Sequence, residues 1–352
     1  MLARIRSSVR LKLLVLVLSP LLIGVPALLG LVWTWGNQAY ERLITYKVSS
    51  DLVTAHEFFE RVRGSVGGDV GAVAESSRLV ASLDGVHDVA FAVMLEDLAR
   101  RYRLDYLLFL DRQGRAIAGS APNAMLPTGA RQDWPAVSAA LDGATHTTVE
   151  RFSPDALAAI SPELRARAVQ ALVPTQGAAP DARTAEDHGM VIQAASPVFD
   201  RRGIQVGVLE GGVLLNGNLE LVDSINAIVY RDGSLPLNSR GTATLFLGDT
   251  RIATNVRLFE GERALGTRVS MAVREQVLGR GENWLGTAFV VNDDYVSGYE
   301  PVLDGAGERI GMLYVGFLEA PLRAAFHAAM AALFAVFVVV SALGSVFCLR
   351  WA

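Results

Sequence analysis

Cysteine is nearly absent: Cys348 is the only one in 352 residues. A disulfide framework and a cysteine-based metal centre are thereby excluded. Lysine is almost as scarce, occurring only at Lys12 and Lys47, so arginine carries nearly all the positive charge. A formal net charge of −4 leaves no basic surface for nucleic acid. The five histidines, His56, His87, His146, His188 and His327, show no metal-ligand spacing with one another or with carboxylates. No G-x-S-x-G elbow, P-loop or dinucleotide fingerprint occurs, and the many glycines fall at turns. A nucleophile–base pair is missing as well. No enzymatic activity, cofactor or metal is expected of this chain.

What the chain has in excess is apolar residues. Two runs hold most of them: Leu11 to Trp35 and Ala324 to Leu349. Each is long enough, at roughly 20 apolar residues, to cross a bilayer. Arg4, Arg6, Arg10 and Lys12 crowd the N-terminal side of the first run, which puts residues 1–10 in the cytoplasm. Residues 11–35 are then the first transmembrane helix, about 36–322 the extracytoplasmic part, 321–349 the second transmembrane helix and 350–352 a cytoplasmic end, with Arg350 its only cation. A cleaved signal peptide fits the first run poorly. It is too long, Trp33 and Trp35 look like interfacial anchors, and no A-x-A site follows. His327 lies inside the second run near its outer end, where an interfacial position is expected.

Between the runs, apolar residues from Leu43 to Val66 recur every three or four positions, which predicts one long helix over 36–83. Gly64, Gly67 and Gly68 predict a kink or break within it. A second helix is expected at Val89 to Arg103, then strands at Asp105–Leu110 and Arg115–Ala118. Ser153-Pro154-Asp155 and Ser161-Pro162-Glu163 each read as a helix start, with serine as N-cap and proline first. Further strands are expected over Gly189–Val198 and Ile204–Leu215, and Leu219 to Tyr230 is a connecting helix that leads into a boundary at 231–236. Beyond it come strands at Thr242–Leu247 and Arg251–Val256, a short helix at Ser270–Leu278, and strands at Thr287–Asn292, Tyr295–Val302 and Arg309–Leu318. Tight turns between consecutive strands require antiparallel pairing.

One hairpin is present twice. EPVLDGAGERIGMLYVGFL, Glu300 to Leu318, repeats SPVFDRRGIQVGVLEGGVL, Ser196 to Leu214, without a gap and about a hundred residues later. Pro197/Pro301, Val198/Val302, Asp200/Asp304, Gly203/Gly307, Gly207/Gly311, Leu209/Leu313, Gly212/Gly316 and Leu214/Leu318 are identical, turn residues and strand glycines included. A duplicated domain is implied. The second copy runs almost directly into the last apolar run, with only Glu319-Ala320-Pro321 between them.

GTATLFLGDTRIATNV (Gly241–Val256), GTRVS (Gly266–Ser270), VLGRGENWLGTAFVVNDDYVSGYEPV (Val277–Val302) and GERIGMLYVGFLE (Gly307–Glu319) resemble the double Cache family of extracytoplasmic sensors, of the Cache 3/Cache 2 fusion type. The likeness is strong over 231–320 and weaker, through element order, before it. It implies an α+β fold: two PAS-like Cache modules with antiparallel sheets, on a long N-terminal helix and flanked by the two transmembrane helices. Residues 84–218 would be the membrane-distal module, 219–236 the connecting helix and linker, and 237–320 the membrane-proximal module. The resemblance also implies a homodimer paired along the long helix, and the input half of a bacterial inner-membrane sensor: a histidine kinase, chemoreceptor or cyclic-dinucleotide enzyme. The chain stops just after the second apolar run. A cytoplasmic signalling output is therefore expected either further along a longer chain or in a separate protein.

Strand alternation puts Tyr295, Ser297 and Tyr299 on one face, with Val296, Gly298 and Glu300 on the other. Two phenols and a hydroxyl suit a ligand pocket, since a buried tyrosine wants a hydrogen-bond partner; the bland reading is a half-buried core. The corresponding residues of the first copy are Val191, Gln193 and Ala195, so the phenols belong to the second copy alone. Arg251, on the preceding hairpin, suits a bidentate clamp on a carboxylate, against the bland reading of a solvated strand arginine. Trp284, expected in a loop, would lid the pocket or anchor the loop, and Asn292 with Asp293 makes a turn. The first module offers an alternative site at Arg103, Tyr106, His188 and Gln193. The expected function is sensing of a small molecule, a carboxylate by preference, and its transmission through the last strand to the second membrane helix. The alternative is a module that binds a periplasmic protein partner, or serves structure, without a small ligand.

Overall fold

The long helix expected after the first apolar run is part of a longer one: α1 runs unbroken from Val9 to Ala74 in the computed structural model. The structure describes residues 9–351 apart from 122–125, 128, 130, 232, 236–238 and 259–260. Most of the expected cytoplasmic segment 1–10, and Asp232 and Pro236 of the expected linker, thus lie outside the described residues. The break expected at Gly64, Gly67 and Gly68 does not occur. At Gly67 the reason is proximity rather than flexibility: a Cβ there would sit 2.2 Å from Thr147 Oγ1. Glycine lets helix and sheet approach, and helical hydrogen bonding tolerates it at a cost of about 1 kcal/mol.

The chain divides into two compact units, one of residues 48–235 with 240–317, the other of 1–47 with 236–239 and 318–352. In the first of these, α2 (Ser77–Ala81) and α3 (Val89–Arg101) precede β1 (Tyr106–Leu110) and β2 (Ala116–Gly119). Then come α4 (Pro135–Leu141), β3 (His146–Phe152), α5 (Pro154–Ile160) and α6 (Pro162–Ala168). The two serine caps form as read: Ser153 Oγ accepts from Ala156 N at 3.1 Å, and Ser161 Oγ from Glu163 N at 3.1 Å. A small ladder of β4 (Gln170–Ala171) and β5 (Ala185–Glu186) frames an insert before β6 (Gly189–Phe199) and β7 (Gln205–Leu214).

After α7 (Leu219–Val229) the pattern recurs: β8 (Gly241–Leu247), β9 (Thr250–Thr254), α8 (Met271–Arg274) continued by a π turn to Gly279, β10 (Trp284–Val290), β11 (Asp293–Leu303) and β12 (Arg309–Leu318). The first sheet has the order β2-β1-β7-β6-β3 and the second β10-β11-β12-β8-β9. Read from β3 and from β10, these are the same topology. Even the irregularity matches: the register shifts between Phe109 and Leu110 in one sheet and between Leu245 and Phe246 in the other. The duplicated hairpins are β6–β7 and β11–β12, at a constant spacing of 104 residues. Each turn is held by an aspartate, Asp200 accepting from Arg202 N and Ile204 N, Asp304 from Ala306 N and Glu308 N. Gly203 and Gly307 supply the positive φ, 78° and 85°. We call the residues around each sheet the first and second modules.

In the other unit, α9 (Ala320–Trp351) begins one residue after β12 ends. That residue, Glu319, is buried and accepts from Arg323 Nη2 at 2.6 Å one helical turn on. The separation is shorter than the expected three residues because Ala320 and Pro321 belong to the helix, whose first turn tolerates proline. Near its start His327 stacks on Trp33 with ring centroids 5.9 Å apart, and Tyr40 lies 5.0 Å from Phe326. Among the described residues, one helix is long and apolar enough to cross a membrane, Ala320–Phe347, with a mean hydropathy of 2.5.

Candidate functional site

The second module's core holds a charge. Arg251 lies on β9, 2% exposed, inside an apolar cluster built by Phe246, Val273, Val277, Ala288, Tyr299 and Tyr314. The bulge that re-registers β8 against β9 sets Arg251 opposite Phe246, whose ring lies 5.0 Å beneath the guanidinium. Arg251 Nη1 donates to Thr267 Oγ1 at 2.6 Å. Its Nε, also buried, donates to nothing, and no carboxylate lies within ion-pair distance among the described residues. Burial pulls the Arg251 pKa below the usual guanidinium value. An arginine nevertheless remains charged.

Around it the expected polar face forms. Tyr299 is buried and Tyr295 half-buried on β11, with Ser297 between them, wholly enclosed and donating to Tyr295 O at 3.1 Å. Burial pushes the Tyr299 pKa up to about 12, against the pull of Arg251 and the Ser297 hydroxyl. Burial raises Tyr295 too, and Arg251 opposes that shift. Trp284 is not in a loop. It is the first residue of β10, paired with Tyr299, because the strand starts three residues earlier than its β-branched residues suggest. Its indole N–H is buried without a hydrogen-bond partner among the described residues. The turn is made by Val291, at φ 62°, and Asn292, while Asp293 already belongs to β11. Arg251, Trp284, Tyr295, Ser297 and Tyr299 therefore share one region of one core. Tyr314, its ring 4.6 Å from that of Tyr299 and tilted by 44°, and Phe246 complete it and were not singled out from sequence. Their signal was there: both lie on strands whose inward face the alternation defines.

The alternative residues of the first module part company. Arg103 is a positive-φ residue whose exposed side chain lies 3.7 Å from Glu220, and His188 lies beside Glu186 and Asp187. Neither reaches the sheet's buried polar centre, because each sits at an element's end. Tyr106 and Gln193 do reach it, donating to Glu210 Oε1 at 3.1 and 2.8 Å. The centre of that cluster was missed: Arg131 grips Glu210 with two hydrogen bonds of 2.6 Å, both side chains nearly sealed. The guanidinium lies 5.2 Å from the Trp134 ring and 5.6 Å from the Phe152 ring, and those two rings pack on each other at 4.4 Å. Burial and Glu210 push the Tyr106 pKa well above the usual phenol range. Here arginine and carboxylate satisfy each other, and the pair is closed.

The other face of β11 meets α1. Gly298 leaves room for Val48 and Leu52, and Glu300 Oε1 lies 2.8 Å from His56 Nδ1. One strand thus carries the Arg251 cluster on one side and the helix contact on the other.

Residues 213–329 match the family of single Cache domain 3, which bears out the Cache resemblance where the quoted motifs lie. No curated protein matches the chain in sequence. Among solved structures the chain is similar to the periplasmic domain of Vibrio cholerae LuxQ, at 11% identity and a TM-score of 0.42, over 77% of this chain and 98% of that one. It is similar to the sensor domain of the Vibrio cholerae histidine kinase DctB, at 15% identity and a TM-score of 0.40, over 79% and 98%. A third is the ligand-binding domain of the Pseudomonas aeruginosa amino acid chemoreceptor PCTC in complex with GABA, at 14% identity and a TM-score of 0.36, over 80% and 99%.

Proposed function

We propose that this chain is the sensing part of a two-pass inner-membrane sensor of the histidine-kinase type, whose second, membrane-proximal module binds a small carboxylate. The observation that carries the reading is Arg251, a buried guanidinium with an unpaired Nε and no counter-ion among the described residues. A buried charge without a partner is costly, and a ligand carboxylate that enters restores the pairing. Tyr295 is the half-exposed member of the cluster, Tyr299 and the Trp284 N–H are buried donors of the same core, and Ser297 donates to the Tyr295 backbone.

The output route follows the chain. Carboxylate binding shifts β11 against β12, and β12 passes through Glu319 alone into the helix Ala320–Phe347, the second membrane span in this reading. The residues 11–35 of α1 form the first span. A shift of an ångström or two, as a piston, tilt or rotation, is enough to change output. Leu43, Tyr46 and Val53 leave apolar area exposed along α1, which suits pairing with a second copy. The chain itself catalyses nothing in this reading, and the signal goes to a cytoplasmic output.

The test is thermal unfolding of the full chain in detergent with a panel of carboxylic acids, beside Arg251→Met. A binding acid at a hundred times its Kd should stabilise by about 2.7 kcal/mol in wild type and not in the variant. If no acid does so, the protein-partner reading takes its place.

A further inference from the structure

Between the modules, within the same unit, lies a cavity of about 520 Å3. It is roofed by the insert that follows β4, which is stitched to the second module by backbone hydrogen bonds, Val173 N to Gly266 O at 2.9 Å and Met271 N to Gly177 O at 2.8 Å. Four guanidinium groups line it, Arg151, Arg183, Arg268 and Arg274, against three carboxylates, Asp181, Glu186 and Asp249. These acids are shared out among too many cations. Asp249 lies 2.6 Å from Arg268, 3.4 Å from Arg274 and 3.7 Å from Arg183. Glu186 lies 2.5 Å from Arg183 and 3.9 Å from Arg151. Asp181 is taken by Arg183 at 2.7 Å and Arg268 at 3.4 Å, and the Arg183 hydrogen bonds hold its carboxyl down to about 2.

Arg183 and Arg268 spend their donors on these acids and on Ala179 O. Arg151 and Arg274 do not. Arg151 stands 3.9 Å from Glu186 and Arg274 3.4 Å from Asp249, both about half-exposed, and neither makes a side-chain hydrogen bond among the described residues. A guanidinium carries five N–H donors in a planar fork and stays charged at any physiological pH. The cavity therefore has surplus positive charge and two uncommitted forks, one from β3 of the first module and one from α8 of the second.

We propose that this cavity binds a small oxyanion with oxygens facing two ways, a phosphate or a dicarboxylate, clamped between Arg151 and Arg274 and so bridging the two modules. A monocarboxylate fills only one fork and should bind at least tenfold more weakly. The site is separate from Arg251 and does not depend on what Arg251 binds.

The test uses the full chain in detergent, titrated with inorganic phosphate, succinate, acetate and chloride at matched ionic strength, followed by calorimetry and thermal unfolding. Phosphate or succinate should give a saturable signal that survives Arg251→Met, weakens at least tenfold in Arg151→Ala or Arg274→Ala, and disappears in the double variant. Which of the two gives the signal separates a phosphate source from a dicarboxylate source. Four results would overturn the proposal: no saturable signal, equal effects of acetate or chloride, full retention in the double variant, or loss of the signal in Arg251→Met. Both arginines are half-exposed, and a single variant suffices should the double one fail to fold.

Discussion

The two modules share strand order, hairpin and bulge, yet solve the same electrostatic problem differently. Each buries an arginine against aromatic rings. In the first, Glu210 on β7 answers Arg131; in the second, the residue at the same register of β12 is Tyr314. Glu210 pairs with Leu108 of β1, and Tyr314 with Thr244 of β8, the matching position. One module has thus internalised its anion, while the other holds its cation open. A closed ion pair is a structural fixture, because removing either member strands the other in a low dielectric. In the proposed reading an open one is a receptor, and this difference is the reason for assigning sensing to the second module rather than the first.

The largest effect should come from breaking this contrast directly. Arg131→Met leaves Glu210 buried without a counter-charge, and should cost about 3–5 kcal/mol in chemical denaturation. Arg251→Met removes a charge nothing answers, and should change stability by about 1 kcal/mol or less, or raise it. Equal losses at the two sites would erase the distinction.

The second test moves one module's solution into the other. Tyr314→Glu places a carboxylate where the first module has Glu210. It should neutralise Arg251 from within and weaken carboxylate binding at least tenfold in calorimetry. Tyr314→Phe is the control. It gives up the 3.0 Å contact of the hydroxyl with Thr242, at a cost of about 1 kcal/mol, and should bind as wild type does.

A third prediction concerns the back of β11. A Cβ at Gly298 would meet Val48 Cγ2 at 3.3 Å and Leu52 Cβ at 3.4 Å, so Gly298→Ala should cost about 1 kcal/mol. The first module carries Ala194 at the equivalent place, fully buried, and Ala194→Gly should destabilise by about as much through lost strand rigidity. Opposite substitutions with like-signed costs would show that each face is fitted to its own neighbour.

Much of this was legible in the residues. The repeated hairpin, its Asp and Gly turn chemistry and the serine-capped helices are local signals, written within a few positions of where they act. Strand alternation likewise put Tyr295, Ser297 and Tyr299 together. What could not be read is what depends on distant pairing. Arg131, in the segment before α4, and Glu210, on β7, are separated by 79 residues and meet only in the folded module, so nothing near either predicts the other. Gly67 looked like a helix breaker because its reason, Thr147, lies on a strand far along the chain. Trp284 was misplaced for a related cause: its strand is extended by pairing with Tyr299 rather than by its own propensity.

The smallest effect, and the one most specific to the coupling face, is a pH dependence. Burial raises the Glu300 pKa above its ordinary 4.5; Glu60 adds to that, while the hydrogen bond and charge of His56 work against it. A carboxyl raised on folding favours the protonated folded state, so its stabilisation is complete below about 4.5 and is lost as pH rises through the folded value. Glu300→Gln removes that loss. Measured from pH 4 to 7, the variant should therefore gain on wild type as the pH rises, while aspartates held down in the folded state, such as Asp181, act equally in both and cancel. The first module has Ser196 at this position, a hydroxyl hydrogen-bonded to Thr145 at 2.7 Å in place of a carboxyl. A stability difference between Glu300→Gln and wild type that stays flat across this range would show that His56 already compensates the buried charge, leaving β11 coupled to α1 by packing at Gly298 alone.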